Sequence, residues 1–480
     1  MSGVALDPTT APAFPMAAKA AMGDTQLRKN VRHATEVIQA KRARVVGEMP
    51  DWQQLREAGK QIRQHTMEHL DFYLEEFERN CTRAGGVVHW ARDAAEARQI
   101  VTELVKASRS DEVIKIKSMT TEEIHLNDAL EAAGVRAYET DLAELIIQLG
   151  HDQPSHIVVP ALHKNRQQIR EIFQREMNLP ELGEKPEDLA DAARRFLREK
   201  FLRVKTGVSG ANFLIAETGG VCIVESEGNG RMCLTLPETL ITIAGIDKVL
   251  PRYQDLEVVL QLLPRSATGE RMNPYNSIWT GVREGDGPQT FHVVLMDNAR
   301  TQVLADEEGR QTLNCIRCGA CQNACPVYRQ TGGHAYGSVY AGPIGAILTP
   351  QLQEMHHAQS LPYASSLCGA CYEVCPVKIN IPEVLIHLRN KVVKQNGLNT
   401  ESLAMKTMGM IFRSEARFRS AQRLGRMAEA PLVRKDGQGE GWIGWLPGIL
   451  GGWTQVRDLQ AMPKETFREW WEKRGKKSSD

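Results

Sequence analysis

The 480-residue chain contains a run of four cysteines and an imperfect copy of it fifty residues later. The first run is Cys315-Ile316-Arg317-Cys318-Gly319-Ala320-Cys321-Gln322-Asn323-Ala324-Cys325-Pro326-Val327. The second is Ser365-Ser366-Leu367-Cys368-Gly369-Ala370-Cys371-Tyr372-Glu373-Val374-Cys375-Pro376-Val377. Cys318, Cys321 and Cys325 each recur at plus 50, as Cys368, Cys371 and Cys375, but Cys315 maps onto Ser365. Few folds accommodate a repeat of this kind, because each Cys-x-x-Cys step must bring two thiols together from one tight loop, with a glycine to relieve the crowding.

The spacing points to iron rather than zinc. Structural zinc sites use separated pairs of ligands, not three cysteines in seven positions followed by a fourth and a proline. In two-cluster ferredoxins that fourth cysteine ligates the other cluster. By this logic Cys315, Cys318, Cys321 and Cys375 hold one [4Fe-4S] cluster, and Cys325, Cys368 and Cys371 hold the second. The fourth ligand of the second cluster is left open. It could be the Ser365 oxygen, another residue, or an iron free to meet a substrate oxygen.

Seven of the ten cysteines lie in the two motifs, and the first 22 residues have a single basic residue, Lys19, and no continuous apolar core. That opening is not a secretory signal, so metal ligation is favoured over disulfides and a reducing, cytoplasmic setting is expected. No stretch approaches the roughly 20 apolar residues that cross a bilayer. Lys plus Arg and Asp plus Glu balance at 59 each, which argues against a nucleic-acid partner.

The pattern along the chain predicts five regions: a disordered start (1–25), a helical N-terminal region (26–110), an α/β domain (111–300), a mainly α-helical two-cluster domain (301–400) and a helical, Trp-rich end (401–480). Strands are expected at Val113–Ile116, Val135–Tyr138, His156–Val159, Met232–Leu236, Leu240–Ala244 and Phe291–Met296. A hairpin is expected around Gly219-Gly220, and Ser266–Pro288 reads as a long, functional loop. Alternating strands and helices imply a largely parallel sheet covered by helices.

The cysteine region resembles the ferredoxin-like electron-transfer subunits of dehydrogenases. Upstream, Lys117-Ser118-Met119-Thr120-Thr121-Glu122-Glu123, Glu139-Thr140-Asp141-Leu142-Ala143-Glu144, Gly210-Ala211-Asn212-Phe213, Glu217-Thr218-Gly219-Gly220 and Leu236-Pro237-Glu238-Thr239 resemble the lactate-utilisation (LUD) domain. With Trp453-Thr454-Gln455-Val456-Arg457-Asp458, the chain is similar over nearly its whole length to the lactate utilisation protein B family. The resemblance implies an α/β LUD domain of the sugar-phosphate isomerase type, followed by a two-cluster ferredoxin-like domain. It implies two [4Fe-4S] clusters and a role in oxidising L-lactate to pyruvate. It also implies two companion lactate-utilisation proteins, one a cysteine-rich iron–sulfur protein and the other a second LUD protein. The family's second motif carries three cysteines too.

Open α/β sheets bind ligands at the carboxyl ends of their strands. Ser118, Thr120 and Thr121 follow one predicted strand, and His163 and Lys164 follow another. They are the substrate candidates, set against ordinary helix capping and a solvated lysine. His356-His357 is expected to diverge on a helix, Cys222 and Cys233 to sit in apolar strands, and Cys81 to end a helix. The Arg413–Arg426 run reads as a solvated face, and Trp442, Trp445 and Trp453 as contact residues. No G-x-G-x-x-G follows a strand, so flavin or nicotinamide chemistry is not expected here. Two other readings compete: a LUD-domain hydrolase or isomerase with regulatory clusters, and a binding scaffold with structural ones.

Overall fold

A computed structural model describes residues 6–397, 399–437, 439–455 and 457–477. Met1–Ala5 of the opening and Val456 of the late segment lie outside the described residues. The chain divides into two compact units, one running to Val392 and the other starting at Val393.

The first unit is built on a six-stranded, all-parallel sheet. Its strands are β1 (Val87–Ala91), β2 (Glu112–Lys115), β3 (Arg136–Glu139), β4 (Thr206–Ser209), β7 (Thr239–Gly245) and β10 (Thr290–Met296), in the order β1-β10-β7-β4-β2-β3. The central strands read as near-continuous apolar runs because both faces are covered. Ile241, Ile243, Val294 and Met296 pack with Ala97, Val101 and Val105 of the Ala94–Ala107 helix. The alternate residues Leu240, Ala244, Val293 and Leu295 face the opposite core. That core also takes in Leu313, Cys318 and Val384, so the α/β region and the cysteine region share one interior.

A second, four-stranded sheet contains β5 (Phe213–Ile215), β6 (Gly220–Glu225), β8 (Val249–Leu250) and β9 (Tyr275–Trp279), ordered β8-β5-β6-β9. Strands β5 and β6 form the expected hairpin. Gly219 sits at its turn with φ +69°, where a Cβ would lie 2.2 Å from the Cys81 backbone nitrogen, so only glycine fits. Strand β9 lies inside the predicted Ser266–Pro288 loop and pairs with β6.

Three further expectations are corrected. The start is not disordered throughout: Phe14–Gly23 is a helix whose Phe14 packs on Tyr336 at a 4.9 Å ring separation. Met232–Leu236 is not a strand but falls in the Asn229–Thr235 helix and its C-cap, because the Glu225 carboxylate accepts from the Glu227, Gly228 and Arg231 amides and turns the chain. His156–Val159 is not a strand either. The His156 Nδ1 accepts from the Val158 and Val159 amides, both at 3.0 Å, and so takes the donors a ladder would use.

Helices Thr25–Gly47, Trp52–Glu68 and Leu70–Arg83 pack against both the sheets and the cysteine region, while the region 26–110 expected to be helical also contains strand β1 (Val87–Ala91) of the main sheet. In the second unit the basic stretch forms two helices, Thr400–Phe412 and Glu415–Glu429, broken at Arg413-Ser414. A small sheet of β11 (Arg434–Lys435), β12 (Gly441–Ile443) and β13 (Leu459–Gln460) follows, with Trp445 and Trp453 exposed.

Candidate functional site

Both cysteine loops use one backbone device, placed fifty residues apart. Arg317 (φ +59°) and Gly319 (φ +71°) turn the first loop, and Leu367 (φ +54°) and Gly369 (φ +83°) turn the second. Each loop then enters a one-turn helix, Ala320–Ala324 or Ala370–Val374, that ends at the fourth cysteine. The two short helices pack on each other. Left-handed residues before a helix curl backbone amides toward the sulfurs. The left-handed Arg317 donates its amide to Cys315 Sγ (3.3 Å), and beyond the Cys-Pro steps the Tyr328 amide donates to Cys325 Sγ (3.5 Å) and the Ile379 amide to Cys375 Sγ (3.3 Å).

Cys315, Cys318, Cys321 and Cys375 line a single cavity with Ile344, Val377 and Ile379. Burial, reinforced by the charges of Cys315 and Cys375, pushes the Cys318 thiol far up. Burial likewise pushes Cys375 up to about 11. Cys371 rises to about 12 through burial, with Cys325 and Cys368 as its thiol neighbours. The seven thiols thus fall into a group of four and a group of three, and none is in a disulfide. A crowded, buried all-thiol donor set with amide-to-sulfur bonds suits an iron–sulfur cluster, whose iron charge would offset the repulsion between thiolates.

Residues of the N-terminal helices Thr25–Gly47 and Trp52–Glu68 hold these loops. Arg56 Nε donates to the Cys375 carbonyl (2.9 Å) and its Nη2 to Tyr372 (3.1 Å). Arg42 donates to the Val374 carbonyl at 3.1 Å. Arg63, 1% exposed, donates to Val249 (2.8 Å), to Leu313 (2.9 Å) and to Asp247. A buried ionic chain links the sheet to the first loop. Arg300 pairs with Glu123 (2.8 Å) and with Asp247 Oδ1 (2.6 Å), and Asp247 Oδ2 faces Arg317 at 3.3 Å. Burial works to raise Asp247, but Arg300 and Arg317 hold it well below the usual carboxylate range. In sequence, Glu123 and Arg317 of this chain of charges fall within recognisable motifs, whereas Asp247 and Arg300 do not.

A pocket of about 220 Å³ opens at the carboxyl edge of the main sheet. It is lined by Lys117 and Ser118 after β2, Asp141 after β3, Asn212 after β4, Lys248 after β7, and Arg317 from the first cysteine loop. Ala267, Thr268 and Asn273, from the predicted functional loop, close one side.

Of the five substrate candidates, Ser118 and Thr120 line this pocket. Ser118 also caps the Met119–Glu123 helix, its Oγ accepting from the Thr121 amide at 3.4 Å. Thr121 is fully buried and donates to the Ser118 carbonyl. His163 and Lys164 are not brought to the pocket. His163 is braced between Asp152 (3.0 Å) and Ser155 (2.9 Å), and Lys164 pairs with the same Asp152. Their loop serves the cysteine region instead: His156 Nε2–H donates to Asn323 Oδ1 (3.2 Å), and Tyr328 donates to the Ser155 carbonyl (2.6 Å).

Ser365 is half-buried, and its Oγ accepts from the Leu367 amide at 3.1 Å. The His356 and His357 rings do not diverge but lie 3.7 Å apart, because Met355–Ala358 is only one turn long. Cys222 is buried in β6, whereas Cys233 is buried on the Asn229–Thr235 helix rather than in a strand.

Family models match residues 74–296 (LUD domain), 311–379 (4Fe-4S dicluster domain) and 387–476 (lactate utilisation protein B, C-terminal). The LUD match spans the parallel sheet, and the dicluster match spans both cysteine loops. The chain is 44% identical over 460 residues to "Lactate utilization protein B" of Bacillus licheniformis, covering 95% of each. It is 43% identical to the protein of that name in Bacillus subtilis, covering 92% of each. A solved DUF162 family structure from Deinococcus radiodurans aligns with 47% of this chain and 98% of its own, at 14% identity and a TM-score of 0.26. No helix among the described residues is long and apolar enough to cross a membrane. The chain is an α/β LUD domain followed by a ferredoxin-like 4Fe-4S dicluster domain, and it belongs to the lactate utilisation protein B family.

Proposed function

We propose that this chain is the iron–sulfur electron-transfer subunit of a cytoplasmic system that oxidises L-lactate to pyruvate. It would act with two companion lactate-utilisation proteins, one a cysteine-rich iron–sulfur protein and the other a second LUD protein. The observation that carries the reading is the sorting of seven thiols into a group of four and a group of three within the region matched as a 4Fe-4S dicluster domain. The names of the relatives supply the metabolic setting.

Cys315, Cys318, Cys321 and Cys375 would hold one [4Fe-4S] cluster, and Cys325, Cys368 and Cys371 the other. Bound there, the clusters would supply one-electron acceptance and release. The chain's own part is positional. The amides at Arg317, Tyr328 and Ile379 donate to sulfur, which tunes potential, and Ile344, Val377 and Ile379 keep water from the first cradle.

Anaerobic reconstitution tests the reading. Eight irons per chain and a reduced spectrum with two interacting [4Fe-4S] signals are expected. L-lactate should reduce the protein only when the companions are present. A chain that binds zinc alone, or whose clusters stay oxidised in the full system, would remove it. Clusters that fail to reduce while an isomerase or hydrolase activity appears would favour a regulatory role instead.

A further inference from the structure

Lys248 has no partner in a place where a lysine needs one. It is 8% exposed and lines the pocket at the sheet's carboxyl edge. It makes no hydrogen bond or ion pair among the described residues, because its neighbour Asp247 already has one oxygen on Arg300 and the other on Arg317. A buried lysine whose neighbouring carboxylate is already shared with two arginines is costly to charge, so this position favours an anion.

A second, independent orphan lines the same pocket. Asn229 is also 8% exposed, and its Nδ2 donates to Thr140 Oγ1 at 3.3 Å while its Oδ1 is buried without a donor. No carboxylate on the wall forms an ion pair with Lys248 or accepts from it among the described residues. Asp141 accepts from the Ala143 and Glu144 amides, Glu225 accepts from the turn after β6, and Glu270 is exposed. The pocket therefore holds an unmatched cation and an unmatched acceptor in a space of about 220 Å³, enough for a molecule of a few heavy atoms.

We propose that this pocket is a binding site for a small 2-hydroxy carboxylate, with Lys248 meeting the carboxylate and the Asn229 amide, turned into the pocket on binding, accepting the hydroxyl hydrogen through Oδ1. Because Arg317 sits between Cys315 and Cys318 and also lines the pocket, the site shares a wall with the first cysteine cradle. The choice of L-lactate as probe rests on the proposed function; the two unpartnered groups do not.

The test is calorimetric binding to the full chain with L-lactate, pyruvate and the neutral isostere lactamide. L-lactate and pyruvate should bind and lactamide should not. Lys248→Met should weaken both acids at least tenfold. Removing an unpaired buried charge should leave the unliganded melting temperature equal or higher. Lys248→Gln serves as a second variant if the first folds poorly. Asn229→Leu should weaken L-lactate more than pyruvate, which has no hydroxyl to donate. Lactamide binding as well as lactate, or Lys248→Met binding within twofold of the parent, would overturn the site. Binding without lactate-driven cluster reduction would remove the electron-transfer reading and keep the site. Reduction with unimpaired Lys248→Met binding would do the reverse.

Discussion

The two cysteine loops share a backbone and differ in almost everything around it. At equivalent positions Cys318 is buried and Cys368 is exposed. Burial and neighbouring thiols push Cys318 up, while the Ala370 amide donating to its sulfur draws Cys368 down. The left-handed residue is a buried arginine tied to Asp247 in one loop and an exposed leucine in the other. The first loop is braced from the LUD domain by His156 and Asp247 and from the Trp52–Glu68 helix by Arg63, and the second is held by Arg42 and Arg56 at its end nearest the first. A duplicated motif has thus been given an inner copy against the pocket and an outer copy toward solvent. On the proposed electron-transfer reading, that asymmetry would let electrons enter at one end and leave at the other.

The strongest test of this asymmetry is Cys375→Ala. Cys375 belongs to the outer motif by sequence but lines the inner cavity. Its loss should empty the inner site and take about half of the bound iron, with the outer signal altered as well. Cys368→Ser, at the exposed end, should spare the inner signal. Iron counts and reduced spectra decide it, and equal damage from both variants would break the inner–outer distinction. Next in size is Arg63→Met, which strands three carbonyls in the core beside the inner loop. A loss of about 3–5 kcal/mol in urea denaturation is expected. Arg56→Met, with two loop carbonyls to lose, should cost less.

How much of this could be read from the chain depends on the range of the interaction. The thiol ligands, the β5–β6 hairpin and the Ser118 cap are local, and spacing alone points to them. The parallel strands β7 and β10 announce themselves as apolar runs, and β2 and β3 overlap the predicted Val113–Ile116 and Val135–Tyr138. The Arg63, Asp247, Arg300 and Lys248 constellation does not, because it joins residues far apart in sequence and no short pattern marks it. His163 and Lys164 lie away from the pocket for a related reason. The segment before them reads as a strand leading to a site, but one histidine nitrogen collects its amides and turns it into a brace. Local pattern is legible, whereas a side chain that redirects backbone donors is not.

The His156 ring gives the inner loop a pH dependence on the acid side. Burial, with Lys117 adding to it, pulls His156 down to about 3, so the folded state keeps it neutral. The unfolded chain binds the proton near pH 6.5. The contribution is therefore complete above about pH 6.5 and falls by roughly 1.4 kcal/mol per unit as pH drops toward 3. Between pH 6.5 and 5 the parent should lose about 2 kcal/mol relative to His156→Gln. Parallel urea curves across that window would show that the inner loop does not depend on a neutral imidazole.

The smallest expected effect concerns the outer loop's missing cysteine. Ser365 stands where the inner loop has Cys315, yet its oxygen already accepts the Leu367 amide at 3.1 Å. That is a turn-forming bond two residues on, and Leu367 is the left-handed residue that shapes the loop. If turn formation is the serine's whole role, Ser365→Ala should cost under about 1 kcal/mol and leave iron content and both signals unchanged. Ser365→Cys is the informative partner. It restores the repeat, and should change the outer signal only if a fourth thiolate can reach the outer cluster from that turn. An outer signal lost in Ser365→Ala would instead assign the serine oxygen as a ligand. It would also make the two loops more alike than their surroundings are.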